Sequence, residues 1–363
     1  MTLNATGSIS LAGTTVGQSI EIELSGTGST VISLNDTTVR TLAGVLTTNT
    51  QIVMPTDFYG KSNFTSTQKA IFGYGITTGI VSITNLVSST GVISADTTGV
   101  GSARGYLGAE TYGNDKALFA FGQTTVYVSI SNLVSNTGVV ASDTTGVGTG
   151  RATLAGSNYG NDKALFAYGS TSNRPLNSVL ISNLVSNTGV VATDTTIVGT
   201  ARFYCEGAKY STDKAIIAYG QNASNVVLNT VNLVSNTGVV ASDTTGAGSI
   251  RMKLASSSYG LDKAIFGFGS TTASTANGVG ITNLISNTGV MATDTAAVGT
   301  ARCNLAGSVY GLDKAVFAYG ANTANANTSL KNLVSNTGVV ATDVAGVGTA
   351  RLTLSAAGFS ATA

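Results

Sequence analysis

The sequence predicts an all-β protein, and three observations carry that prediction. A motif recurs six times at intervals of 47 to 51 residues, each copy consists of short apolar stretches punctuated by glycine, and no long helical periodicity interrupts it. The 363 residues include 45 glycines and only two prolines, a composition suited to many tight turns.

The repeat is measured from its lysines, Lys69, Lys116, Lys163, Lys214, Lys263 and Lys314, which are 47, 47, 51, 49 and 51 residues apart. Arg104, Arg151, Arg202, Arg251 and Arg302 each stand 12 residues before a lysine, and Arg351 is the sixth of the set. An aspartate lies eight residues before every arginine (Asp96, Asp143, Asp194, Asp243, Asp294, Asp343), and an asparagine lies 11 before each of those (Asn85, Asn132, Asn183, Asn232, Asn283, Asn332). All length variation therefore falls between the glycine closing "FAYG" and the asparagine of "NLV", with gaps of 10, 10, 14, 12, 14 and 12 residues. Steps of two are what a hairpin makes when both arms lengthen together, since a slip of one would turn every side chain to the other face. The variable stretch is predicted to be a hairpin tip.

Four strands per unit follow. The first begins at the arginine, where "RATL", "RMKL" and "RCNL" alternate apolar and polar residues. The second, "KALFAYG", is apolar almost throughout, as expected of a strand covered on both faces, with Ala117, Phe119 and Phe121 on one side and Leu118 and Ala120 on the other. The third ends on "NLV" and the fourth is "TGVVA", joined by the tight turn "SNTG". A glycine three residues before each arginine marks a further fixed bend. Four short strands in each unit of this length predict the blades of a β-propeller. The first unit starts at its second strand, at Lys69, and the last contributes an arginine strand, Arg351 to Ser355. The two fragments complete each other, so the expected fold is six blades closed by the C-terminal strand over residues 65–363. Residues 1–64 lack the repeat, and alternation in "SIEIEL" and "TVISL" predicts a small N-terminal β module there.

The unit "GTAR…LAG…YGNDKALFAYG…NLVSNTGVV" resembles a kelch repeat. A single glycine stands where kelch units carry two, and the kelch tryptophan is missing. The resemblance implies that the loops joining second to third strand, and fourth to first, share one face and bind partners. The stretch "ISLNDTTVRTLAGV…FYGKS" resembles the N-terminal module of structural proteins in tailed-bacteriophage particles, and implies an attachment module carrying the propeller as the displayed part. On these resemblances the chain is expected to be a non-enzymatic virion protein of the tail, baseplate or fibre, assembled in the host cytoplasm. Residues 1–64 would contact other virion proteins, and the hairpin tips would contact a host-surface glycan or protein. A soluble or secreted bacterial glycan-binding lectin is the alternative.

Composition excludes other classes. Charged residues make up 10% of the chain and the net charge is +1, which gives no electrostatic reason to expect nucleic acid or an anionic membrane as partner. No apolar run reaches the length of a membrane-spanning helix and no secretory leader opens the chain, so no membrane insertion is expected. Histidine is absent, which removes the commonest general base and metal ligand, and no cofactor or metal is expected. Cys205 and Cys303 occupy apolar strand positions and read as buried small hydrophobes. Acidic residues outside the repeat (Glu21, Glu23, Asp36, Asp57, Glu110, Glu206) show no paired-carboxylate arrangement. "FYGKS" at Phe58–Ser62 has Pro55 where a phosphate loop needs glycine, and reads as a domain-border turn.

The six "DTT…R" modules admit two readings, a ring of charge binding an ion at one mouth of a channel, or structural pairs supporting buried guanidinium groups. The adjacent Asp–Lys pairs read as turn aspartates beside lysines that reach solvent. Candidate partner contacts lie in the tips, at Tyr127, Arg174, Asn225 with Val226, Asn277 and Asn325.

Overall fold

The protein is described by a computed structural model covering residues 18–20, 24, 37–43, 68–173, 176–296 and 298–360. The chain divides into two compact units, Met1–Ser66 and Thr67–Ala363.

In the first unit Ser19 is a β-bridge residue, Ile20 is helical, and the Leu24 N–H donates to the Ile20 carbonyl at 3.0 Å, all within the "SIEIEL" stretch expected to be a strand. Helix α1, Thr37–Ala43, lies within the "NDTTVRTLAGV" stretch and buries Val39, Leu42 and Ala43. Positions i, i+3 and i+4 share a helix face, and that spacing suits these three residues. Residues 21–23 of "SIEIEL", the whole of the expected strand "TVISL", and "FYGKS" lie outside the described residues.

The second unit is all-β. Strands β1 (Lys69–Gly73) and β2 (Thr84–Val87) form the first sheet. The second holds β3 (Gly108–Tyr112), β4 (Lys116–Ala120) and β5 (Ser131–Val134). The third holds β6 (Ala155–Tyr159), β7 (Lys163–Ala167), β10 (Ile181–Val185) and the short β11 (Thr195–Thr196), with a separate hairpin of β8 (Ser170–Asn173) and β9 (Leu176–Ser178). The fourth holds β12 (Glu206–Tyr210), β13 (Lys214–Ala218), β14 (Thr230–Val234) and the short β15 (Thr244–Thr245). The fifth holds β16 (Ala255–Tyr259), β17 (Lys263–Gly267) and β18 (Thr282–Ile285). The sixth holds β20 (Ala306–Tyr310), β21 (Lys314–Ala318) and β23 (Lys331–Val334), beside a two-stranded pair of β19 (Arg302–Cys303) and β22 (Ala321–Asn322). The last strand, β24 (Ser355–Phe359), pairs antiparallel with β1, Ile71 facing Ala357, and completes the first sheet.

Three expectations change. The first strand of each unit does not run over "RATL" but starts four residues after the arginine, and the closing strand is Ser355–Phe359 rather than Arg351 to Ser355. The cause is a left-handed residue two places after each arginine (Tyr106, Thr153, Tyr204, Lys253, Asn304 and Thr353, φ 53 to 57°), which limits the pairing beside the arginine to a single bridge, or to the two residues of β19, and turns the chain before the inner strand begins. The fourth strand "TGVVA" is reduced to one isolated bridge in each sheet, such as Val134 with Val140, and the two-residue strands β11 and β15 lie beyond it at "DTT". "TGVVA" alternates into solvent, and the serine of "SNTG" takes over the turn's amides, as when Ser135 Oγ accepts from Val139 N at 3.1 Å. Phe121 leaves the Ala117–Phe119 face and packs with Leu118 and Ala120, since its own φ is +62°. The central strands are buried on both faces as expected, with Phe119 and Phe166 fully covered.

The hairpin tips follow the expected arithmetic. Their closing residues stand four apart in the two short tips (Ile76 with Ile80, Gln123 with Tyr127), six apart in Gln221–Val227 and Ala321–Asn327, and eight apart in Ser170–Ser178 and Ser270–Gly278.

Six apolar clusters hold the unit together, each formed between consecutive sheets. One joins Leu118 to Phe166, and the sixth joins Phe72 of the first sheet to Val316 and Tyr319 of the sixth. Two circuits of backbone hydrogen bonds run through all six sheets. In one, the left-handed residues bond in succession: Thr153 N–H to Tyr106 O, Tyr204 to Thr153, Lys253 to Tyr204, Asn304 to Lys253, Thr353 to Asn304 and Tyr106 to Thr353, at 2.8 to 3.2 Å. At the other end of the same inner strands the donors are Gly113, Gly160, Ser211, Gly260, Gly311 and Ser360, the acceptors Asp162, Asp213, Asp262, Asp313, Gln68 and Asp115, at 2.7 to 3.1 Å. Among the described residues no helix is long and apolar enough to cross a membrane.

Candidate functional site

The repeated arginines are structural. Each guanidinium is fully buried and lies 4.1 to 4.6 Å over an aromatic ring of the preceding sheet: Arg104 on Tyr74, Arg151 on Phe121, Arg202 on Tyr168, Arg251 on Tyr219, Arg302 on Phe268 and Arg351 on Tyr319. Those rings are turned into place by a left-handed backbone at the aromatic residue (φ 61 to 66°), a costly conformation for a bulky side chain. Arg104 also donates from Nε to Phe121 O at 2.8 Å and from Nη1 to Ser102 O at 3.2 Å. Desolvation lowers the pKa of Arg104, Arg151, Arg302 and Arg351, to about 10 at Arg151 and Arg302, which still leaves those two charged at neutral pH.

The aspartates are occupied as well. Asp143 accepts from Ser102 N and Oγ at 3.0 and 2.6 Å and from Asn132 Nδ2 at 2.8 Å. Burial raises its pKa, but the bonds from Ser102 and Asn132 outweigh that and hold the carboxyl below its ordinary value. The same bonds recur at the other five aspartates, so the arrangement is the structural pairing, with no guanidinium surface left for an anion. Asp115, Asp162, Asp262 and Asp313 pair with the next lysine at 2.7 to 2.8 Å, with the lysines more than two-fifths exposed, pairs that contribute little to stability. Cys205 and Cys303 are buried free thiols, each pushed up to about 11 by burial.

The strands β3, β6, β12, β16, β20 and β24 line one cavity and come so close that small residues are required. A Cβ at Gly207 would lie 2.4 Å from the Gly156 carbonyl. Serine and threonine hydroxyls bridge neighbouring strands, Ser256 to Gly207 O at 2.6 Å and Thr111 to Gly358 O at 2.7 Å. The cavity left between the strands is about 70 Å³. Glu110 of β3 and Glu206 of β12, 96 positions apart in the chain, both line it. Burial raises Glu206 to about 8 and raises Glu110 well above the usual range, with the charge of Glu206 adding to the effect on Glu110. At neutral pH Glu206 holds its proton, and burial pushes Glu110 the same way, in a space of water size. Among the described residues no cluster of histidine, cysteine, aspartate or glutamate could hold a metal ion.

The sixfold pattern is broken at one place on the tip-bearing end. Tyr106, Tyr127, Phe203, Tyr204, Gln123 and Thr153 surround a cleft of about 130 Å³, floored by Ala152 and Ser170. It opens because Ala152 and Thr153 are small where the next unit carries Phe203 and Tyr204, leaving aromatic walls around a low floor. Tyr106 and Tyr204 meet edge to face at 6.2 Å between centroids, and Phe203 and Tyr204 lie 5.3 Å apart. Burial raises the pKa of Tyr204, and the nearby Tyr106 and Tyr127 raise it further, so three phenols converge there in neutral form.

Of the candidate contacts, only Tyr127 belongs to this cleft. Arg174 lies outside the described residues. Val226 is exposed, its N–H held by Asn222 Oδ1 at 3.0 Å, beside the left-handed Asn225. Asn277 donates to Thr272 Oγ1 at 2.7 Å within its own tip, and Thr275 Oγ1 donates to Asn325 Oδ1 at 2.9 Å, which joins the fifth and sixth tips. Sequence reasoning missed Tyr106, Phe203 and Tyr204, although the signal was there: these positions carry aromatics in two units and small, polar or aliphatic residues in the rest. No protein-family model matches the chain, and no curated protein sequence matches it.

Proposed function

We propose that Thr67–Ala363 is a six-bladed, kelch-like β-propeller closed by β24, and that the chain is a non-enzymatic structural protein of a bacteriophage particle that displays this propeller for assembly or host attachment. The observation that carries the architecture is the pair of backbone hydrogen-bond circuits, each returning to its start after six sheets. A rigid ring with tips of unequal length is a scaffold suited to recognition, because loops on a fixed frame vary without disturbing it. The particle assignment is supported by the resemblance of "ISLNDTTVRTLAGV…FYGKS" to virion N-terminal modules, a stretch that contains α1 and its buried Val39 and Leu42. In this reading residues 1–64 dock to other virion proteins and the tips face outward. A soluble or secreted glycan-binding lectin is the second reading, favoured by the aromatic cleft at Tyr106 and Tyr204.

Mass spectrometry of purified particles tests the first reading. The full chain is expected at fixed copy number, and a chain lacking residues 1–64 is expected to fold but to be missing from the particle. Recovery of the truncated chain at normal copy number would refute the docking role, and absence of the full chain from particles would favour the lectin.

A further inference from the structure

We propose that the cleft between Tyr106 and Tyr204 is a binding site for one neutral pyranose, the terminal sugar of a surface glycan. The inference rests on the display reading above and deepens it by naming the ligand class. Three features define that class. The walls are aromatic, and aromatic faces stack on the C–H face of a sugar ring. The polar atoms at hand are phenols, hydroxyls and one carboxamide: Thr153 and Ser170 donate to the Ala152 and Ser172 carbonyls at 2.6 and 2.7 Å and so present acceptor lone pairs, while the Gln123 carboxamide both donates and accepts, a set that matches sugar hydroxyls. No charged side chain is among the lining residues, so an acidic sugar would be desolvated without a counter-charge. The neighbouring cation, Lys253, lies 5.3 Å from the Tyr204 ring centre, and its ammonium is engaged by the Ala273 carbonyl at 2.5 Å.

Size and rigidity agree with this. At about 130 Å³ the cleft is smaller than the roughly 300–1,000 Å³ of drug-sized sites, which suits a single terminal residue rather than a chain. Its walls are held in advance: Tyr106, Thr153 and Tyr204 are consecutive members of the left-handed hydrogen-bond circuit, and Gln123 is fixed to Gly105 by backbone bonds of 2.9 and 3.0 Å. Little ordering is left to oppose binding. The site is also unique around the ring, since the positions equivalent to Tyr106 and Tyr204 elsewhere are Thr153, Lys253, Asn304 and Thr353.

The test is saturation-transfer NMR on the full chain with the methyl glycosides of glucose, galactose, mannose and N-acetylglucosamine, and with N-acetylneuraminic acid as the acidic probe. Saturation is expected to reach the ring protons of at least one neutral glycoside. Gln123→Ala and Tyr127→Ala, both on a tip rather than in a sheet, are each expected to weaken binding about tenfold, the scale of one lost hydrogen bond for the first and of one lost aromatic contact for the second. Asn325→Ala, on the joined fifth and sixth tips, is expected to leave binding unchanged. Transfer to none of the neutral probes, transfer to the acid alone, or equal affinity in both cleft variants that keep the native melting temperature would each overturn the proposal. Such a result leaves particle copy number untouched, so it is distinct from failure of the display reading.

Discussion

Arg351 donates from Nη2 to Asn85 Oδ1 at 2.7 Å, a bond that spans 266 residues and fixes the last arginine to the first sheet. The same guanidinium donates from Nε to Tyr74 O at 2.8 Å and rests on Tyr319 of the sixth sheet, so a single side chain touches both sides of the seam. Around it, Thr349 donates to Asp96 through N and Oγ1, at 3.0 and 2.5 Å.

Deleting residues 351–363 should open this seam. The deletion removes β24 and leaves β1 with an unpaired edge, a template for pairing between molecules. Aggregation or oligomers in light scattering, with a lowered melting temperature, are the expected result. A monodisperse product with unchanged melting would show that β24 is dispensable.

The point substitution Arg351→Ala is a gentler version of the same test. It removes the stacked cation and leaves Asn85 Oδ1 and the Tyr74 carbonyl short of a buried donor, and each buried acceptor left unpaired costs about 1–3 kcal/mol. Lys116→Ala removes an exposed pair and should cost no more than about 1 kcal/mol. Urea titration of the two variants would expose an error if the losses were equal.

Phe166→Ala should cost about 3–5 kcal/mol, because the ring is fully buried between the second and third sheets. Thr196 lies in the exposed short strand β11, and Thr196→Ala should stay within roughly 0.5 kcal/mol. Comparable losses in denaturant would contradict the burial of the central strands.

Stability should fall as pH rises through the neutral range. Glu206 is raised to about 8 by burial, so below the ordinary glutamate value folded and unfolded chains are both protonated, and the contribution is intact. Above that value the unfolded chain releases its proton while the folded one keeps it, and the contribution is lost by the time pH passes about 8. Glu110, raised for the same reason, acts in the same direction. Between about pH 5 and pH 8.5 the loss should be about 2–4 kcal/mol. Glu206→Gln keeps the side-chain shape facing Ser256 and should flatten much of that slope. A slope of opposite sign in chemical denaturation would show that the channel carboxyls are charged in the native state.

Much of this molecule is legible in one copy of its repeat. The fixed distances between Asp143, Arg151 and Lys163 locate the sheets, the even steps between Gly169 and Asn183 locate a hairpin, and the unbroken apolar run Ala164–Ala167 announces burial on both faces. These features are set by local period and turn chemistry, which act over a few residues and so leave a pattern in the sequence. The inner strands "AGSNY" and "ASSSY" carry no such pattern. They are small and polar because these strands pack closely on one another: a Cβ at Gly207 would meet the Gly156 carbonyl, and only the packing of neighbouring sheets supplies that crowding. The sharing of one cavity by Glu110 and Glu206, and the edge-to-face meeting of Tyr106 with Tyr204, were likewise decided by tertiary structure, because each pair joins residues about two repeats apart in the chain.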